Sequence, residues 1–161
     1  MLKGFRVEAA EAEAARWAAL LEDRSDRWPQ HLRNGMRALA EGLLASGGAL
    51  ASVDEYAVLA GAEERRLDSY RARRSPEMLS SGLLLAAVMN AVPEEGLGYI
   101  EMLRVIEDSA GAASGWRLPA GMRPEGYLDH LVHRGALQDD GTGRLACPIP
   151  SFRQFLVEAG S

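Results

Sequence analysis

Between Trp28-Pro29 and Gly47-Gly48 the large apolar residues fall at Leu32, Met36, Leu39 and Leu43. Steps of four, three and four gather on one side only in an α-helix; a strand would scatter them over both faces. Arg33, Arg37 and Glu41 stay polar. Pro29 suits the first turn, where its missing N–H would have no intrahelical acceptor, and the glycines end the helix by accepting backbone conformations that a side chain resists. The same spacing precedes it in Val7, Ala10, Ala14, Trp17 and Leu21, with Glu8, Glu11 and Glu22 elsewhere on the wheel, and a charged connector runs from Glu22 to Arg27. Further on, Asp54 caps a short helix reaching Ala60, and Glu63-Glu64 start another to Arg73 with Leu67 and Tyr70 inward. Four helices are therefore expected over residues 7–74.

Arg71, Arg73, Arg74, Ser75 and Pro76 form a polar stretch that marks an expected domain boundary. From Met78 to Ala91 the face carrying Leu79, Leu83, Ala86 and Met89 is joined by Leu84, Leu85 and Val88. A helix apolar almost all round should be buried. Val92-Pro93-Glu94-Glu95-Gly96 ends it, and Tyr99, Met102, Leu103 and Ile106 predict a shorter helix to Asp108. A loop over Ala110–Arg123 leads to a helix opened by Pro124 and Glu125, with Leu128, Leu131 and Val132 inward and its end at Gly135. Asp140-Gly141 then signals a hairpin between Ala136–Gln138 and Arg144–Cys147. Ser151 is placed to cap a last helix with Phe152, Phe155 and Leu156. Three helices followed by a two-stranded ribbon is the element order of a winged helix. The expected fold is mainly α, a helical bundle at residues 1–76 followed by a winged-helix domain with a small β-hairpin at residues 77–161.

The chain has 161 residues, 47% of them hydrophobic, which is enough to build a core without disulfide or metal staples. Its 18 basic residues against 23 acidic ones give a net charge of −5, so net charge does not draw it to polyanions. Lys3, the only lysine, is followed by Gly4 and Phe5, and the Gly-Lys-Ser/Thr ending of a phosphate-gripping loop is absent. A lone Cys147 forms no internal disulfide, and the N-terminus lacks a signal-peptide pattern, so a cytoplasmic location is expected. The apolar run Leu83–Met89 is far short of the roughly 20 residues that span a bilayer, so no membrane role is expected.

Two motifs carry a family resemblance. The first is Arg27-Trp28-Pro29-Gln30-His31-Leu32, a proline turn opening an amphipathic helix. The second is Leu131-Val132-His133-Arg134-Gly135-Ala136-Leu137, a hairpin, and then Ile149-Pro150-Ser151-Phe152-Arg153-Gln154-Phe155-Leu156. In that order they resemble the C-terminal region of a bacterial AAA+ or signal-transduction-type ATPase, in which a helical lid and a winged helix follow the nucleotide core. Where such lids often set a nucleotide-touching arginine beside the proline turn, this chain has Gln30 and His31. The resemblance implies a non-catalytic interaction or regulatory module, with no cofactor, that docks on an ATPase core, another protein chain or a second copy. The contact residues expected are Trp28, Gln30, His31 and Arg33 on the lid, with Trp116, Tyr127, His130 and Arg144 on the winged helix.

A winged helix also raises DNA binding, with the third helix in a major groove and the wing on the phosphate backbone. Arg134, Arg144 and Arg153 are the residues that reading would use. Residues 78–161 hold only 6 basic side chains against 10 acidic ones, and the third helix carries Glu125 and Asp129, so the charge disfavours it. Arg65, Arg66, Arg71, Arg73 and Arg74 read as a solvated face balanced by Glu63, Glu64 and Asp68. Catalysis finds little support. His130, His133 and Cys147 lack a fourth metal ligand, the pairs Glu94-Glu95, Glu107-Asp108 and Asp139-Asp140 sit at helix ends or turns, and no Gly-x-Ser-x-Gly elbow occurs.

Overall fold

Helix α1 (Leu2–Arg24) and helix α2 (Pro29–Ala45) form a hairpin joined by a tight turn, followed by a 3₁₀ turn at Leu50–Ser52 and by α3 (Glu55–Arg73). The computed structural model describes residues 2–111 and 115–159, with side chains from residue 10 onward; the expected inward placement of Val7 and loop residues 112–114 lie outside it. Among the described residues the chain is mainly helical with a small antiparallel sheet, and no helix is long and apolar enough to cross a membrane. Two compact units divide between Ser69 and Tyr70, upstream of the polar stretch at residues 71–76.

In the first unit the hairpin turn is held in a left-handed conformation at two consecutive side-chain-bearing residues, Asp26 and Arg27, with φ of 51° and 55°. Such positions cost about 1 kcal/mol or more each and persist only when their surroundings hold them. Here the Ser25 carbonyl accepts from the Trp28 N–H at 2.8 Å and from His31 Nδ1 at 3.1 Å. The two helices expected between Asp54 and Arg73 are one. Asp54 caps it, its carboxylate accepting the Ala57 N–H at 3.2 Å, and Gly61 in its middle costs only about 1 kcal/mol, too little to break a helix of 19 residues.

Helix α2 turns its small residues inward. Its buried residues are His31, Asn34, Gly35 and Ala38, while Leu32 and Met36 are 36% and 60% exposed. The expected contact His31 is thus an interior residue. The cause is steric: a Cβ at Gly35 would lie 2.8 Å from Leu21 Cδ2, and one at Gly42 would lie 3.0 Å from both Val53 Cγ1 and Val58 Cγ2. Backbone comes closest to its neighbours along Gly35, Ala38 and Gly42, so this small-residue side turns inward. Trp17, Ala38, Val53 and Val58 form the core, with Leu39 and Leu43 packed partly against it.

The second unit contains α4 (Pro76–Ser80), α5 (Gly82–Ala91), β1 (Leu97–Gly98), α6 (Tyr99–Ser109), α7 (Pro124–His133), β2 (Gln138–Asp139), β3 (Arg144–Ala146) and α8 (Pro150–Glu158). The helix expected over Met78–Ala91 is split at Ser81, whose φ of −112° and ψ of 28° leave the helical range just before Gly82, although its N–H still reaches the Glu77 carbonyl at 3.1 Å and its hydroxyl donates to the same oxygen at 2.7 Å. Leu79 and Leu83, expected to be buried, are 55% and 53% exposed, and on α7 Val132, expected inward, is 39% exposed. Leu84, Leu85, Val88, Met89, Met102, Ile106, Leu128, Leu131, Phe152 and Leu156 make the core, each nearly inaccessible.

The strands run in the order β1-β3-β2, all antiparallel, with Leu97 opposite Leu145 and Gln138 opposite Ala146. Strand β1 is absent from the sequence reading, since two residues show no alternation. Gly96 precedes it with φ of 74°, and a Cβ there would strike the Leu145 carbonyl oxygen at 2.7 Å, so glycine lets the two strands meet. The hairpin tip is longer than a two-residue turn. Asp139 Oδ1 accepts the Gly141 and Gly143 N–H groups at 2.7 and 3.0 Å, and Asp140 Oδ1 accepts the Thr142 N–H at 2.8 Å. Ile149, not Ser151, is the N-cap of α8; the Ser151 hydroxyl shares a 2.6 Å hydrogen bond with the Tyr70 hydroxyl.

Candidate docking surfaces

On the first unit an apolar groove of about 630 Å³ runs between α1 and α2, lined by Trp17, Leu21, Trp28, Leu32, Met36 and Leu39 among others. Trp28, expected as a contact, stands in it half-buried. Trp17 is fully buried, and its indole N–H has no acceptor among the described residues. The other expected lid residues scatter. His31 lies on the opposite side of α2, in a separate cavity of about 590 Å³ where Arg66 pairs with Glu63 and approaches Asp26 at 3.8 Å. Since a carbonyl only accepts, its bond to Ser25 fixes the proton on Nδ1. Gln30 is half-buried and Arg33 is exposed.

On the second unit the four expected contacts have different fates. Trp116 lies half-buried in a cavity of about 610 Å³ of mixed polar and apolar lining, which it shares with the two exposed leucines Leu79 and Leu83. Tyr127 is buried and therefore no surface contact. The Ser81 hydroxyl gives its proton to the Glu77 carbonyl, so the Tyr127 O–H donates to Ser81 Oγ at 3.0 Å. Burial raises the Tyr127 phenol pKa above its usual value. His130 Nε2 shares a 2.7 Å hydrogen bond with Ser75 Oγ and lies 3.7 Å from the Glu77 carboxylate. The Glu77 backbone N–H, then the Ser75 hydroxyl, hold that carboxyl below the ordinary range.

Arg144, together with the other two candidates for phosphate contact, is engaged within the unit. Arg153 donates to the Met89 and Val92 carbonyls at 3.0 and 2.7 Å, at the C-terminal end of α5. Arg134 donates from Nε to the Arg73 carbonyl at 3.0 Å, at the end of α3, and Arg144 to the Glu95 and Gly96 carbonyls at 3.0 and 2.7 Å. Carbonyls at helix ends have no intrahelical donor, and a guanidinium supplies one with a charge that suits the negative end of the dipole. The outward residues of α7 include Glu125, Asp129 and Val132. Cys147 is half-buried, its thiol directed to the Ile149 carbonyl at 3.5 Å, and burial pushes its pKa up. It is a poor nucleophile there.

Sequence reasoning missed the exposed leucines Leu79 and Leu83 and did not say which side of α2 faces inward. The signals were present in Ser80-Ser81-Gly82 and in the second stripe of α2, Gly35, Ala38 and Gly42, set at helical spacing beside the apolar one. Compared with known proteins, the chain matches no family model, no curated protein and no solved structure.

Proposed function

We propose that this chain is a non-catalytic docking module, similar to the lid and winged helix that trail an AAA+-type ATPase core, and that its C-terminal unit is a winged helix facing protein rather than DNA. The strand order β1-β3-β2, with α6 and α7 between β1 and the ribbon, supports the winged-helix reading. The observation that carries the functional reading is the engagement of Arg134, Arg144 and Arg153 with backbone carbonyls. Neutralising phosphates takes several free cations, and α7 presents carboxylates in their place. The apolar patch of Leu79, Leu83 and Trp116 is the surface such a module offers to a protein.

Two measurements test this. Anisotropy of labelled duplex DNA at low salt should stay flat as the chain is added; saturable binding that weakens steeply with salt would overturn the reading in favour of a DNA-binding regulator. A photo-cross-linker placed at Leu83 should yield in cells one discrete adduct with a protein carrying a nucleotide-binding core. Adducts with nucleic acid, or none, would count against docking.

A further inference from the structure

We propose that the groove between α1 and α2 is occupied by a second copy of this chain, so that two helical hairpins close into an antiparallel four-helix bundle. The inference concerns the N-terminal unit and stands whether or not the C-terminal unit docks as described above. The hairpin has one side covered by α3 and the 3₁₀ turn, through Trp17, Val53 and Val58, while on its other side Met36 is 60% exposed and Leu32 36%. That open side is the more apolar one of α2, and such a stripe normally lies against another helix.

Charge selects the occupant. The α1 wall of the groove carries exposed Glu22, and the helical wheel puts exposed Glu11 on the same flank; neither makes an ion pair among the described residues. The α2 side carries Arg27, and Arg33 lies just outside Met36; both are exposed and likewise make none among the described residues. One wall is acidic and the other basic, an arrangement that is self-complementary. A two-fold axis running along the groove lays α1 of each copy over α2 of the other, antiparallel, with the two hairpin turns at the same end. Glu22 of one copy then meets Arg27 and Arg33 of the other, twice over by symmetry, and the apolar stripes fill the space between. This is the geometry in which two hairpins form a four-helix bundle.

Sedimentation equilibrium of the full chain over a range of concentrations tests it. The mass should rise toward twice 17.4 kDa. Met36→Glu, at an exposed position, should leave circular dichroism unchanged and hold the chain at monomer mass. Glu22→Arg and Arg33→Glu should each weaken association by about tenfold or more through like-charge contact. Mixed together, these two single variants should associate with each other, because each then supplies the charge its partner lacks. A wild-type chain that stays monomeric, or a dimer that survives Met36→Glu, would overturn the proposal. So would single variants that fail to associate on mixing. A positive DNA titration leaves this result untouched, so failure of either reading is recognised separately.

Discussion

Helices α2 and α7 both open with a proline, and both carry a clear apolar stripe, yet they bury opposite sides of themselves. Helix α7 turns Tyr127, Leu128 and Leu131 into a dense core, whereas α2 turns inward His31, Asn34, Gly35 and Ala38 and leaves Leu32 and Met36 outside. The difference teaches that periodicity reveals a stripe without naming its neighbour. The inward side is set by where another backbone can come close, and on α2 that is the glycine and alanine seam. Helix α7 packs its stripe into a core, while α2 leaves Leu32 and Met36 uncovered.

The contrast breaks first, if it breaks, under truncation. Leu131→Ala should destabilise the C-terminal unit by about 2–5 kcal/mol, the loss of a buried side chain plus its cavity. Met36→Ala in a dilute, monomeric chain should stay within about 0.5 kcal/mol. Urea unfolding of both variants measures this, and comparable losses would mean that α2 is packed like α7. Gly42→Val should lower stability by about 1–3 kcal/mol, because the new side chain enters a seam with no room for a Cβ. A melting temperature equal to that of the parent would show that the seam can open.

The arginines sharpen the comparison. Arg153→Met strands the Met89 and Val92 carbonyls and should cost about 1–3 kcal/mol, with Arg153→Lys recovering part, whereas Arg33→Met should be neutral in the monomer. An Arg153 variant as stable as the parent would mean that its guanidinium is free for other work. The smallest effect concerns Tyr127, whose folded pKa lies above the unfolded value near 10. A raised acid pKa means that the folded state holds its proton longer. The stabilisation is therefore complete below pH of about 10 and fades as pH rises through the folded value. Tyr127→Phe should cost about 1 kcal/mol at neutral pH and flatten the alkaline limb of a stability profile. An unchanged limb would place the titrating group elsewhere.

Much of the architecture is legible where proline and glycine punctuate a periodic stripe. Pro29 and Gly47 bound α2, and Pro124 and Gly135 bound α7, because those residues restrict or free the backbone whatever surrounds them. What the stripe pattern hides depends on tertiary neighbours. The two-residue strand after Gly96 rests on a close approach to the Leu145 carbonyl that local propensity does not contain. The candidate contacts divide in the same way. Trp28 stands half-buried in the apolar groove of the hairpin, and Trp116 half-buried in a cavity with Leu79 and Leu83. Tyr127 and His31 look alike as polar-tipped residues on amphipathic helices, and only their hydrogen bonds to Ser81 and Ser25 mark them as interior. No residue pattern distinguishes an arginine that caps a carbonyl from one that waits for a phosphate.

The contrast between the packed stripe of α7 and the uncovered stripe of α2 is tested most directly by amide hydrogen exchange followed as a function of protein concentration. The account predicts that protection in α5 and α7 is independent of concentration, while protection in α1 and α2 rises as the chain is concentrated and its grooves are covered. Protection in α2 that matches α7 in dilute solution and does not change on concentration would contradict it.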